Sequence, residues 1–155
     1  MKYLILAIIM LAACIEAEKS EFLEVRYVID GDTIIVEDGS NKGIKVRLIG
    51  INAPESRDYK HRKKEAFGEE SSDFLKQLLE NQKVQLSYDV EELDQYGRHL
   101  AYVYLENGKM VNNIMLRAGY AELMTINPNV RHVSMFVQSQ TFARENRLGI
   151  WSQPD

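Results

Sequence analysis

One cysteine stands in 155 residues, so no disulfide can form within the chain. Histidine is nearly as scarce. His61, His99 and His132 are scattered, and with no thiol pair nothing has the spacing of a zinc site. Positive charge is in deficit, because 19 Lys and Arg face 23 Asp and Glu, for a net charge of −4. That sign excludes holding nucleic acid by bulk field, so any phosphate chemistry must come from local positive groups. The longest apolar run, Leu4 to Ala13, is too short to span a bilayer. No low-complexity segment and no repeat of 20–50 residues is present. What remains is a length that suits one domain, with 45% hydrophobic residues to fill a core.

The first fourteen residues, "MKYLILAIIMLAAC", form a separate object. Lys2, the apolar run and the terminal Cys14 predict a signal peptide over residues 1–13. "LAAC" resembles a bacterial lipobox, which implies cleavage before Cys14 and lipidation of its sulfur. A short linker over 14–21 would then lead to a folded domain over 22–152. Removing Lys2 and no acid leaves 18 basic against 23 acidic residues, a net charge of −5. The expected location is extracytoplasmic, either held to a membrane by the lipid or secreted.

Leu23, Val25, Tyr27 and Ile29 alternate with polar neighbours and predict a first strand. Residues 33–37, 43–51, 83–88 and 99–106 predict four more. Asp-Gly between the first two runs is a strong hairpin signal. Phe74, Leu75, Leu78 and Leu79 make the apolar stripe of a helix over 69–81. Val111, Ile114, Met115 and Ala118 do the same over 109–118, with Gly119 in position for its C′ cap. A last helix is predicted over 131–147, with Met135, Phe136, Phe142 and Ala143 inward and Ile150 and Trp151 packing its end. The pattern is α+β, and five strands fit a partly open OB-type barrel with three helices as one option among several.

Four features exceed what turns and surface charge require. They are Asp30 and Asp32 in "DGDT", Arg47 inside an apolar strand, "GINAPES" at 50–56, and "DQYGRHLAYVY" at 94–104. Singly, each has a plain structural explanation. Together they supply an acid and an amide for a metal, a further acid and two guanidiniums, the inventory for hydrolysing a phosphodiester.

"DGDT", then "VRLIGINAPE", then "DQYGR" leading into "LAYVY" resemble the staphylococcal-nuclease (thermonuclease) family. "KMVNNIMLRAGYAEL" and "ENRLGIWS" extend the likeness over about residues 22–152. The resemblance implies the OB-type barrel and calcium-dependent (Ca2+) cleavage of DNA or RNA by a monomer. It implies a metal site at Asp32, Asn52 and the main-chain carbonyl of Ala53. It makes Glu55 the general base, Arg47 and Arg98 the phosphate-clamping arginines, and Tyr96 a neighbour of the bound nucleotide. These residue types suit the chemistry. Calcium is hard and takes 6–8 oxygens, and planar guanidiniums meet phosphate oxygens in pairs where lysine cannot.

Two departures bear on function. Asn52 stands where the family usually has an aspartate, which removes one charge from the metal site. Gln95 and Thr125 replace further phosphate and base contacts of the best-known member. "SRDYKHRKK", 56–64, offers compensation as a local positive funnel, with Arg57, Lys60, Arg62, Lys63 and Lys64 directly after Glu55. A rival function is a non-catalytic OB-fold nucleic-acid-binding module of the cell envelope, and a second is a structural lipoprotein. Both leave Asp32, Arg47, Glu55 and Arg98 together unexplained.

Overall fold

A computed structural model describes residues 21–58 and 63–152. The predicted signal peptide, Cys14 and the loop residues Tyr59, Lys60, His61 and Arg62 lie outside the described residues.

Strand β1 (Leu23–Asp30) turns through Gly31 and Asp32 into β2 (Thr33–Val36), pairing antiparallel with Asp30 opposite Thr33. β3 (Ile44–Leu48) follows antiparallel on β2, with Thr33 opposite Arg47. After β4 (Ile51–Asn52) and helix α1 (Gly68–Leu79) come β5 (Lys83–Ser87) and β6 (His99–Leu105). The order β1-β2-β3-β6-β5 closes a barrel, and the β3–β6 pairing is parallel. Helix α2 (Val111–Arg117), β7 (Glu122–Leu123), α3 (Val133–Glu145) and a 3-10 turn at Gly149–Trp151 complete the chain. Among the described residues this is the α+β, five-stranded OB-type barrel with three helices that the resemblance implied. Gly119 takes φ +76° two residues past the end of α2, directly after the C-cap Ala118, as a C′ cap requires.

Residues 43–51 do not form one strand. β3 stops at Leu48, and Gly50 at φ +80° bends the chain out of the barrel. A Cβ at Gly50 would lie 2.4 Å from the Phe136 ring, so glycine lets α3 close on the bend. Arg47 Nη1 braces it by donating to the carbonyls of Leu48 (3.1 Å) and Ile51 (2.8 Å). Ile51 and Asn52 then pair with Leu123 and Glu122 in a two-stranded sheet too short to leave a periodic signal.

Ala101, Tyr102 and Val103 of β6 are consecutive and buried, as in a strand covered on both faces. Their neighbours Val46, Leu48, Val84 and Met115 share the same core. Asn112 on α2 is fully buried and satisfied. Its Oδ1 accepts from Val103 N (2.9 Å) and its Nδ2 donates to Ile49 O (2.8 Å). It thereby ties the bend before β4 to β6.

The Asp89 carboxylate accepts from Tyr102 Oη (2.8 Å) and Arg131 N (3.1 Å), and the Arg131 guanidinium lies 3.4 Å away. Burial alone would raise its pKa, but these donors outweigh burial and hold it below the usual carboxylate range. His132, edge-on to the Tyr102 ring, is pushed down by burial and by Arg131. The depressed Asp89 value stabilises the fold at neutral pH and loses that stability on acidification, whereas the depressed His132 value costs stability once acid protonates the unfolded ring. Thermal stability is therefore expected to fall below about pH 6.5 as His132 is forced to protonate, and again below about pH 3.9 through Asp89. Melting against pH checks this: Asp89→Asn should melt lower at pH 7 and show a shallower second fall.

Candidate active site

The turn residue Asp32 lies inside the protein, only 7% exposed. Its Oδ1 accepts from Thr33 Oγ1 (2.8 Å), and its Oδ2 accepts from Ala53 N (3.0 Å) and pairs with Arg47 Nη2 (3.0 Å). Asp30 Oδ1 accepts from Gly31 N (3.0 Å) and Ser56 N (3.2 Å). Arg57 Nη2 donates to Ile29 O (3.2 Å). The hairpin therefore holds the 53–57 segment at three points. Gly31 permits this closeness, since a Cβ there would meet Ser71 Oγ at 2.2 Å and Ala53 Cβ at 2.6 Å.

Arg47 Nη2 also donates to Asn52 Oδ1 (3.2 Å). Oxygens from Asp32 and Asn52, far apart in sequence, thus converge on one positive group. Carboxylate, amide and carbonyl oxygens are the donors that a hard divalent cation takes, so Asp32, Asn52 and the Ala53 carbonyl fit such an ion in type. Among the described residues, no group of three or more His, Cys, Asp and Glu side chains forms a metal cluster. Of Asp32, Asn52 and the Ala53 carbonyl, only Asp32 carries a charge.

Glu55 is carried on the same segment. Its N–H donates to Glu65 Oε2 (3.0 Å) and its carbonyl accepts from Glu65 N (2.9 Å). Gly68 presses on that carbonyl, where a Cβ would lie 2.1 Å from Glu55 O and 2.8 Å from Ser56 Cα. Phe67 just before it adopts φ +63°, a conformation rare for a bulky residue. Gly68→Ala would gain about 1 kcal/mol in helix propensity, but backbone cannot yield as a flexible side chain does. The variant is expected to melt lower and to lose activity about tenfold or more, measured as turnover beside a melting curve.

Arg98 directly precedes β6, whose register sets Arg47 opposite Leu100. Arg98 Nε donates to Asp94 Oδ2 (2.6 Å) and its N–H to Asp94 Oδ1 (3.0 Å). Burial opposes the charge on Asp94, but these bonds and the Tyr96 N–H win and keep its pKa below the usual range. Tyr96 is 72% exposed, with the Arg98 guanidinium 5.6 Å from its ring centre. Asn129 clamps this loop by accepting from Glu91 N (2.9 Å) and donating to Glu91 O (2.8 Å).

Asp32, Arg47, Asn52 and Ala53 thus touch one another, and Glu55 rides on the same segment. Arg98 and Tyr96 are gathered around Asp94 instead. Sequence reasoning missed Asp94 as the residue that positions Arg98, although its spacing of four from Arg98 was visible. It also missed Asn112 and Gly68, whose tasks depend on distant partners. Within the basic run, Lys64 pairs with Glu69 (2.8 Å). Arg117 stacks on the Phe142 ring at 3.6 Å, a structural contact.

A closed five-stranded barrel with acid, amide and guanidinium at one edge carries the groups that hydrolysis of a phosphodiester bond uses. The Staphylococcal nuclease homologue family matches residues 45–153. The thermonuclease of Staphylococcus hyicus is 42% identical over 125 residues, 81% of this chain and 72% of that protein. The thermonuclease of Staphylococcus intermedius is 38% identical over 136 residues, covering 87% and 79%. An uncharacterized endonuclease of Escherichia coli O157:H7 is 38% identical over 128 residues, covering 83% and 75%. The chain belongs to the staphylococcal nuclease family.

Proposed function

We propose that this chain is an exported, calcium-dependent nuclease that cleaves DNA, RNA or both, anchored to a membrane through Cys14. The observation that carries the catalytic reading is the meeting of Asp32 and Asn52 oxygens on the Arg47 guanidinium. Asp32, Asn52 and the Ala53 carbonyl would hold the ion. Calcium in that place supplies charge neutralisation at a phosphate oxygen and a fixed orientation for substrate and water. Glu55 accepts the proton of the attacking water as general base. Arg47 and Arg98 hold the phosphate oxygens on which negative charge grows. Tyr96, exposed beside Arg98, lies along the nucleotide.

The test incubates the purified chain with single- and double-stranded DNA and with RNA, in calcium and in chelator. Cleavage in calcium alone supports the reading. Binding without cleavage under every condition would favour the non-catalytic OB module.

The anchor rests on Cys14 closing the apolar run. No helix among the described residues is long and apolar enough to cross a membrane. Stable attachment through a lipidated cysteine takes two or more acyl chains. The wild-type protein is expected to sediment with membranes, and Cys14→Ser to be released or left unprocessed. A wholly soluble wild-type protein with a free thiol would contradict the anchor.

A further inference from the structure

Asn52 leaves the proposed calcium site one charge short, and the short β4–β7 ladder brings a carboxylate to its side. Ile51 stands opposite Leu123 and Asn52 opposite Glu122. Alternation sends the first pair inward: Ile51 is 1% exposed and Leu123 packs on the core. Asn52 and Glu122 both face solvent on the other side, where opposed residues have Cβ atoms about 4.5–5.5 Å apart. They line one cleft of about 380 Å³ together with Pro54 and Glu65.

The two cleft carboxylates differ in their engagements. Glu65 Oε2 accepts from the Glu55 N–H. Glu122 makes no side-chain hydrogen bond or ion pair among the described residues. On the far side of Asn52, the Asp32 carboxylate is already paired with Arg47 at 3.0 Å. The charge of Asp32 is thus partly compensated before any divalent ion arrives.

Resting on the calcium site proposed above, we infer that Glu122 supplies from β7 the negative charge that Asn52 does not carry, and so sets the affinity of the site for a divalent cation. The sequence position of Glu122, 70 residues from Asn52, hides it from any local motif.

Calorimetric calcium titration of the purified full chain tests this without reference to activity. Melting curves establish folding for each variant. Glu122→Gln should weaken calcium binding about three- to tenfold, because ligand charge tunes calcium affinity. Glu106→Gln, which removes the same charge from a distant turn, should leave affinity unchanged. The Glu122 effect should shrink in high salt, as a solvent-exposed charge requires. Adding Asn52→Asp to Glu122→Gln should restore affinity by returning the charge to β4. If Asp32→Asn abolishes binding while Glu122→Gln matches Glu106→Gln, the inference is overturned and the calcium site stands. If Asp32→Asn binds as wild type does, the calcium site itself fails and the inference fails with it.

Discussion

Arg98→Lys is expected to lower turnover by about 10²–10³, the usual cost of losing one donor to transition-state charge. Lysine keeps the positive charge but offers a compact ammonium in place of the planar fork. In this fold the change does a second thing. Arg98 Nε is held by Asp94 Oδ2 at 2.6 Å, an arrangement that fixes the direction of the guanidinium. A lysine at 98 could still pair with Asp94, but its single nitrogen would then have to choose between Asp94 and phosphate. Asp94 also accepts from the main-chain N–H of Arg98 and of Tyr96, so the loop should keep its shape. The variant should therefore melt near the wild-type temperature while kcat falls. Near-wild-type turnover in that folded variant would remove Arg98 from the site.

Asp32→Asn is expected to be as damaging, by a different route. The substitution preserves volume and one acceptor oxygen, so Thr33 Oγ1 or the Ala53 N–H can remain bonded. The charge facing Arg47 is lost from a site only 7% exposed. Breaking a fully buried ion pair costs about 3–5 kcal/mol, and less here, where Arg47 keeps 13% of its side chain exposed and retains its bonds to Leu48 O, Ile51 O and Asn52 Oδ1. All three ligands, residue 32, Asn52 and the Ala53 carbonyl, would then be neutral, and the calcium concentration for half-maximal activity should rise about tenfold or more. Asn52→Asp should move it the other way. The two changes act on one ion and should be coupled, a result that a four-protein cycle measures directly.

Much of this site was legible in the sequence because its residues sit in short runs with strong local reasons. Asp-Gly marks the hairpin, and a second aspartate beside it exceeds what a turn needs. Arg47 is conspicuous inside an apolar strand, and "GINAPES" announces a loop by its proline. The barrel strands were visible through alternation, and the helices through their apolar stripes. The unreadable parts are those in which the partner is distant. β4 and β7 are two residues each, too short to show a period, so the 43–51 run looked continuous. Gly50 gave no sign that Phe136 would lie against it. Gly68 reads as an ordinary residue at a helix start until the Glu55 carbonyl is seen beneath it. The "DGD" turn of Asp30 and Asp32 follows the same rule. Both aspartates are turn residues, and both reach across to hold the Ala53–Ser56 segment, which no local rule predicts.

The central claim is that Asp32 and Asn52 hold one calcium ion on which phosphodiester cleavage depends. The most direct test measures two quantities on the same protein: the calcium dissociation constant by calorimetry, and the calcium concentration giving half-maximal cleavage of a defined DNA strand. The account predicts that the two coincide, that both fall in Asn52→Asp and rise in Asp32→Asn, and that chelator abolishes cleavage. Undiminished cleavage in chelator, or calcium binding untouched by either substitution, would contradict it.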